Sequence, residues 1–418
     1  MKNKKFLWII NQYANIPEFP GHTRQYEISL GLAKKNWEVE VFASDFNLSE
    51  RKFKRLKGIK FFLKEKVNKV YWNWVKVIPY KKNNFLRYIN MISFCVNLII
   101  ILNLKFFKNI LFNIPPPIIF GSSPQLPASF LCLLFAKIYK LKFVLEVRDI
   151  WPQILIDTNV NYSSFLVNIL SFMEIYLYKN SDLIIVLTNG VKKYIENKKV
   201  GNVICLPNGP DLSKFKFKNL PPEKEGNFNK HRKFLILYSG AHGKVNGLMN
   251  VINASKLLKD YPIEIHLFGD GPEKINLIKA CKGIRNIKFF DPIPKIKMPD
   301  LITKYDSVLL SLDKLDLFKY GVSPNKLYDA YAVGRPIIST VPGDINDEIK
   351  KLNLGIGTIP NNPRKLANAI ISIFNKPRNV REEMGKNARK CAENLYSRDL
   401  ILQKLNVSLS KLINKDNG

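Results

Sequence analysis

The sequence predicts an α/β fold with two doubly wound parallel-sheet domains facing a cleft. Three observations carry that reading. Short β-branched runs alternate with longer helical patterns, as in parallel sheets with crossover helices. The alternation stops at Pro210–Arg232 (PDLSKFKFKNLPPEKEGNFNKHR) and then restarts. That stretch is polar, contains Pro and Gly, and has no apolar period, so it reads as a linker. Finally, five strand-to-helix loops are marked by glycine or proline, at the strand ends where such sheets bind ligands.

In the first half, strands are expected at Phe6–Ile10, Glu38–Ala43, Pro117–Gly121, Lys142–Val147, Asp182–Leu187 and Val203–Leu206. Helices are expected at His22–Lys35, Pro124–Tyr139 and Phe165–Tyr178. In the second half, strands fall at Phe234–Tyr238, Ile263–Phe268, Ile287–Phe290, Ser307–Leu312 and Pro336–Thr340. Helices fall near Gly247–Lys259, Glu273–Ala280, Asn325–Ala332, Arg364–Phe374 and Arg381–Glu393. The expected domains are residues 1–212 and 233–395, with a linker at 213–232 and a C-terminal helix, 396–418, returning to the first domain.

A chain of 418 residues allows two or three domains with ample core. Its 66 Lys+Arg against 34 Asp+Glu give a net charge of +32, which favours anionic partners. The same excess fits a general bias toward Lys, Asn and Ile. The five cysteines (Cys95, Cys132, Cys205, Cys281, Cys391) form no C-x-x-C and argue for a reducing compartment, against zinc or a disulfide framework. The N-terminal run FLWII is too short for a signal peptide and reads as the first strand. Met91–Leu104 is apolar but short of the roughly 20 residues that span a bilayer. Aromatic and basic residues crowd Tyr71–Lys108, which suits an interfacial helix on an anionic leaflet and equally a buried core helix.

Several strand ends carry candidate binding residues. After the first strand, NQYANIPEFPGHTR brings Gly21 to a helix opening at His22, with Arg24 able to meet a phosphate or carboxylate. GSSP (Gly121–Pro124) closes the next clear strand and includes Ser123. RDIWP places Arg148 and Asp149 at a strand end, either for substrate contact or as a structural ion pair. In the second domain, YSGAHGK contains Gly243 and Lys244, and FGDGPE follows the next strand. Neither is a Walker loop, but a glycine-rich loop with a lysine suits a diphosphate.

The densest signal is SPNKLYDAYAVG, Ser323–Gly334. Ser323 suits an N-cap and Pro324 the first helical position. Lys326 then lies beside the positive helix end, at a cost of about 0.3–1 kcal/mol that reverses when an anion occupies the mouth. Asp329 lies about 60° around the helix from it, an acceptor suited to paired hydroxyls. An ordinary capped helix with a solvated lysine and aspartate would have the same spacing.

PGHTRQYEISLGLAKK, VLEVRDIWPQ and SPNKLYDAYAVGRPII together resemble glycosyltransferase family 4, over essentially the whole chain. These are retaining sugar-nucleotide transferases built from two Rossmann-like domains, the GT-B fold. The likeness is greatest to the bacterial branch that builds O-antigen and capsule with amino sugars. It implies a UDP-sugar donor held mainly by the second domain. Gly21, Gly243, Lys244, Ser323, Pro324, Asn325 and Lys326 would face the donor, with Asp329 at the ribose as the second acid of an E-x7-E motif. The first acid would fall at Gly321. His22, Arg24 and Ser123 are expected on the acceptor side. Asp149, Arg148 and Lys244 are expected at the reaction, Arg148 standing where many relatives have histidine.

No D-x-D metal motif is present in a suitable loop, and no cofactor or metal is expected. Fixed cations and helix ends would stabilise the leaving diphosphate. The expected acceptor is a polyprenyl-diphosphate-linked saccharide, and the expected location is cytoplasmic, peripheral on the inner face of a bacterial cytoplasmic membrane. Three alternatives share some of these features: a UDP-sugar 2-epimerase, a basic nucleic-acid-binding protein, and a scaffold that binds UDP-sugars without turnover. No nucleic-acid motif is present, and none is expected as partner.

Overall fold

The computed structural model describes residues 4–19, 23–47, 50–81, 85–157, 163–222 and 232–414. The chain divides into two units, residues 1–206 with 402–418, and residues 207–401.

Unit 1 is built on an eight-stranded sheet: β1 Lys5–Ile10, β2 Trp37–Ser44, β3 Phe62–Val67, β4 Val70–Val75, β5 Ile118–Ser122, β6 Phe143–Val147, β7 Leu183–Val186 and β8 Val203–Cys205. Their order is β8-β7-β6-β5-β1-β2-β4-β3, parallel except for the β3–β4 pair. Strands β1, β5, β6 and β7 read as nearly continuous apolar runs because both faces are covered. The β3–β4 hairpin is absent from the sequence-based expectations. Asn68, at φ +55°, sits in its two-residue turn, a conformation that asparagine tolerates. Trp72 and Trp74, two residues apart on one strand face, stack at 4.8 Å and are buried. They therefore belong to the sheet core and not to an interfacial helix.

Helix α1 is Arg24–Ala33, α2 Phe85–Leu111, α3 Leu126–Ile138 and α4 Ser164–Asn180. The apolar run Met91–Leu104 is only the middle of α2, whose 27 residues are long and apolar enough to cross a membrane. One face of α2 (Phe94, Leu98, Ile101, Leu102, Phe106) is buried within unit 1. The opposite face exposes Ile92, Val96, Ile100, Leu104, Phe107 and Leu111. The core-helix expectation thus holds for one face of α2, while the opposite face is apolar and exposed.

Unit 2 carries β9 Phe234–Ser239, β10 Ile263–Phe268, β11 Ile287–Phe290, β12 Ser307–Leu310, β13 Ile337–Ser339 and β14 Gly355–Gly357, all parallel in the order β11-β10-β9-β12-β13-β14. Its helices include α5, Leu248–Lys256, and α6, Asn325–Val333. The described part of the expected linker, up to residue 222, packs into this unit. Arg335, fully buried, donates to the carbonyls of Lys218 (2.6 Å) and Asn219 (3.0 Å). Arg378 and Arg389 donate to Pro221 and Phe215 at 2.9 and 2.7 Å. The segment lacks an apolar period because arginines, in addition to packing, hold its backbone. The last helix, α7 Arg398–Asn414, packs on unit 1 over most of its length, with Trp37 Nε1 donating to Asn406 (2.8 Å) and Lys5 Nζ to Ser410 (2.8 Å).

Candidate functional site

In unit 2 the site is built around the first turn of α6. Pro324, not Ser323, is the cap residue, and the helix starts at Asn325. Ser323 is committed elsewhere. Its hydroxyl accepts from the Asn208 N–H at 2.9 Å and shares a hydrogen bond with Tyr328 Oη at 3.0 Å, while its carbonyl accepts from the Asn208 amide at 2.6 Å. The PNGPD turn and the mouth of α6 are thereby tied together.

Lys326 projects over the ring of Tyr238, its ammonium 4.1 Å from the centroid. Burial pushes that ammonium down to about 7, since a low dielectric disfavours the charged form. Gly240, at the end of β9, makes this possible: a Cβ there would stand 2.9 Å from the Lys326 Nζ. Asp329, one turn along α6, is buried and ion-paired with Lys295. Lys295, which the sequence did not single out, lies in the 3-10 turn Lys295–Lys297 with its ammonium 5.0 Å from the Phe215 ring centroid.

The two glycine-rich loops pack on each other. Gly240 N–H donates to Phe268 O, His242 N–H to Asp270 O and Glu273 N–H to His242 O, at 2.8–2.9 Å. Gly269 (φ +148°) and Gly271 (φ +159°) have no room for side chains: a Cβ would lie 1.9 Å from Gly240 O or 2.5 Å from His242 O. The glycines of FGDGPE therefore serve loop–loop contact in the first instance. His242 is fully buried, and neither ring nitrogen has a hydrogen-bond partner among the described residues. Burial, with the nearby Lys274 and Lys326 charges, holds its pKa below the ordinary histidine value, against a smaller pull from Asp270. Gly243 and the exposed Lys244 line a cavity of about 360 Å³ with Asn250, Glu273, Asp313 and Asn361, whose lining does not include Ser323–Asp329.

In unit 1 the predicted residues converge on a carboxylate that the sequence reading passed over. Glu146, next to the last residue of β6, is fully buried. Arg24 Nε donates to it at 2.7 Å, Ser122 Oγ at 2.6 Å and Gln25 Nε2 at 3.0 Å. Burial acts to raise the Glu146 pKa, but Arg24, Arg148 and the hydrogen bonds outweigh it and keep the carboxyl below its ordinary value. Arg24 does meet a carboxylate, but one inside its own unit, and it also donates to the Leu206 carbonyl at 3.0 Å. It is therefore buried support, not an exposed acceptor contact. Ser123 is likewise buried, its hydroxyl accepting the Arg148 N–H at 2.8 Å. Asp149, the next residue, is exposed at the strand end. A glutamate inside the apolar run FVLEV was the available signal for this network. Gly21 and His22 lie outside the described residues. Among the described residues no cluster of three or more metal-ligating side chains occurs.

Comparison with known proteins agrees with this architecture. Residues 221–391 match the family described as "Glycosyl transferases group 1". The chain is 23% identical over 292 residues to "Probable glycosyltransferase WbjE" of Pseudomonas aeruginosa, covering 66% of this chain and 69% of that protein. It is 30% identical over 153 residues to "Putative colanic acid biosynthesis glycosyl transferase WcaI" of Escherichia coli (strain K12), which is 33% of this chain and only 35% of that one. Among solved structures, sucrose-phosphate synthase (tll1590) from Thermosynechococcus elongatus aligns with a TM-score of 0.73 at 14% identity, over 99% and 100% of the two chains. Anabaena Alr3699/HepE in complex with UDP aligns with a TM-score of 0.66 at 13% identity, over 97% and 100%. The fold is GT-B, and the chain is a glycosyltransferase. More particularly, the match to the Glycosyl transferases group 1 family falls on residues 221–391, which include the α6 site.

Proposed function

We propose that this glycosyltransferase is a retaining enzyme of family 4 that moves an N-acetylated amino sugar from a UDP-sugar to a polyprenyl-diphosphate-linked saccharide, in O-antigen or capsule synthesis. The observation that carries the donor assignment is the Lys326 ammonium at the mouth of α6, with Asp329 buried one turn on. A cation beside free helix N–H groups suits a diphosphate, and the carboxylate suits ribose hydroxyls. The HepE structure of the same fold holds UDP.

In the reaction, the bond from the anomeric carbon to the diphosphate oxygen breaks as the acceptor oxygen attacks from the same face. The acceptor proton passes to the departing phosphate oxygen. Lys326 and the α6 amides stabilise the charge that develops on UDP, and Lys244 and Gly243 supply a second contact. Asp149 orients the acceptor hydroxyl, with Arg148 beside it, and the Glu146–Arg24–Ser122 network fixes the strand end that presents them. These groups do the work without metal or cofactor.

The exposed face of α2 supports a peripheral location on an anionic inner leaflet. With its other face packed in unit 1, this helix lies in the membrane surface and does not cross it. Basic residues at its ends, such as Arg87 and Lys108, suit the headgroups. Incubation with UDP-N-acetylhexosamines and a lipid-linked saccharide, followed by NMR of the product, tests the reading. It predicts UDP release only with acceptor, and an anomeric configuration equal to the donor's. An inverted product, or sugar epimerised without acceptor, would refute it.

A further inference from the structure

Lys326 and Asp329 stand three residues apart on α6, the spacing at which opposite charges on a helix pair. They do not pair. Asp329 is ion-paired with Lys295, and Lys326 has no ion pair among the described residues. The Lys326 ammonium lies over the Tyr238 ring from β9, and its charge bears on His242 in the following loop, as do those of Lys274 and Asp270. Asp329 is the one acidic residue of α6 (NKLYDAYAV), at a spacing from Lys326 that allows the two to pair.

We propose that Lys295 is a positioning residue of the anion site: by holding Asp329 it keeps that carboxylate from Lys326, leaving the ammonium for an incoming diphosphate. The proposal rests on the donor reading above. Lys295 sets which of two charge pairings the site adopts. Without it, Asp329 would be a buried carboxylate without a partner, and the nearest cation on its own helix is Lys326. That internal pair would oppose the diphosphate twice, by neutralising the ammonium and by placing a second anion beside it. The pairing also governs proton linkage. The free Lys326 ammonium titrates near neutrality, so in the wild type UDP must recruit a proton to it once the pH exceeds about 7.

The test is calorimetric titration of the whole chain with UDP from pH 6.5 to 9, in wild type, Lys295→Met, Lys295→Arg, Asp329→Asn and the Asp329→Asn/Lys295→Met double variant. UDP's own ionisation is common to all, so differences between variants report the protein. Wild-type affinity should fall as the pH rises above about 7. In Lys295→Met, affinity at pH 7 should drop about tenfold, and the fall should begin about one pH unit higher, because an opposite charge beside an ionisable group favours its charged form. Lys295→Arg should behave as wild type. In the Asp329→Asn background, Lys295→Met should leave the midpoint where it was.

An unmoved midpoint in Lys295→Met overturns the proposal and leaves the donor reading standing. A shift that persists in the Asp329→Asn background also overturns it, since the lysine would then act directly. Absence of UDP binding to the wild type overturns the donor reading and this proposal together. Lys295→Ala, made alongside, gives the same reading if the Met variant fails to fold by circular dichroism.

Discussion

Gly240 and Lys326 occupy one space: the ammonium of the lysine lies where a side chain at residue 240 would begin, with 2.9 Å between Nζ and the position of a Cβ. The end of β9 and the mouth of α6 are thereby joined. The glycine admits a cation here, whereas Gly269 and Gly271 admit backbone.

Gly240→Ala follows directly. The clash is with the far end of a flexible side chain, so the fold should yield at small cost, within about 1 kcal/mol. The displaced ammonium should weaken UDP binding about tenfold. Thermal melts and calorimetry on the variant read the two effects separately.

Lys326→Met should stabilise the free protein while weakening UDP binding. The folded pKa of about 7 is below the unfolded lysine value of about 10.4. Its cost to folding is therefore fully present below pH 7 and fades as the pH rises toward the unfolded value. The melting-temperature gain of the variant should be largest near pH 6 and shrink toward pH 10, a trend that melts across that range measure.

Glu146→Gln leaves Arg24 buried beside an uncharged partner. Breaking a buried pair from one side costs about 3–5 kcal/mol, so urea unfolding should show a loss of that order, smaller if the amide keeps some hydrogen bonds. Because the folded carboxyl titrates below its ordinary value, its contribution is present above the unfolded pKa of about 4.3. It is lost as the pH falls through the folded value, so wild type and variant should converge in acid.

The two faces of α2 should respond differently. Ile100→Glu with Leu104→Glu, on the exposed face, should abolish co-sedimentation with anionic liposomes and leave the melting temperature nearly unchanged. Leu98→Ala, on the buried face, should cost about 2–5 kcal/mol and leave co-sedimentation intact. Equal liposome binding by the double glutamate variant would dismiss the membrane face.

Where hydrophobic period and turn chemistry agreed, the elements were legible in the sequence to within a few residues. The apolar runs at Phe6–Ile10 and Phe234–Tyr238 and the proline-led start of α6 are examples. The hairpin carrying Trp72 and Trp74 was not, because its aromatics were weighed for their chemistry and not for their alternation. The α6 pattern named Lys326 and Asp329 but not the partner of either. Lys295 takes Asp329 from a segment some thirty residues earlier, IPKIKMPD, whose lysines look alike in one dimension. Glu146 was hidden in the same way: its partners Arg24 and Ser122 come from distant strand and helix ends, and only the topology brings them to one carboxylate.

The central claim is that the mouth of α6 is a nucleotide-diphosphate site. Titration of UDP, GDP and ADP in EDTA against wild type and Asp329→Ala, followed by thermal shift, tests it most directly. The account predicts stabilisation by UDP above the other nucleotides, undiminished by EDTA and weakened in the variant. An equal UDP shift in wild type and Asp329→Ala, or no shift with any nucleotide, would contradict it.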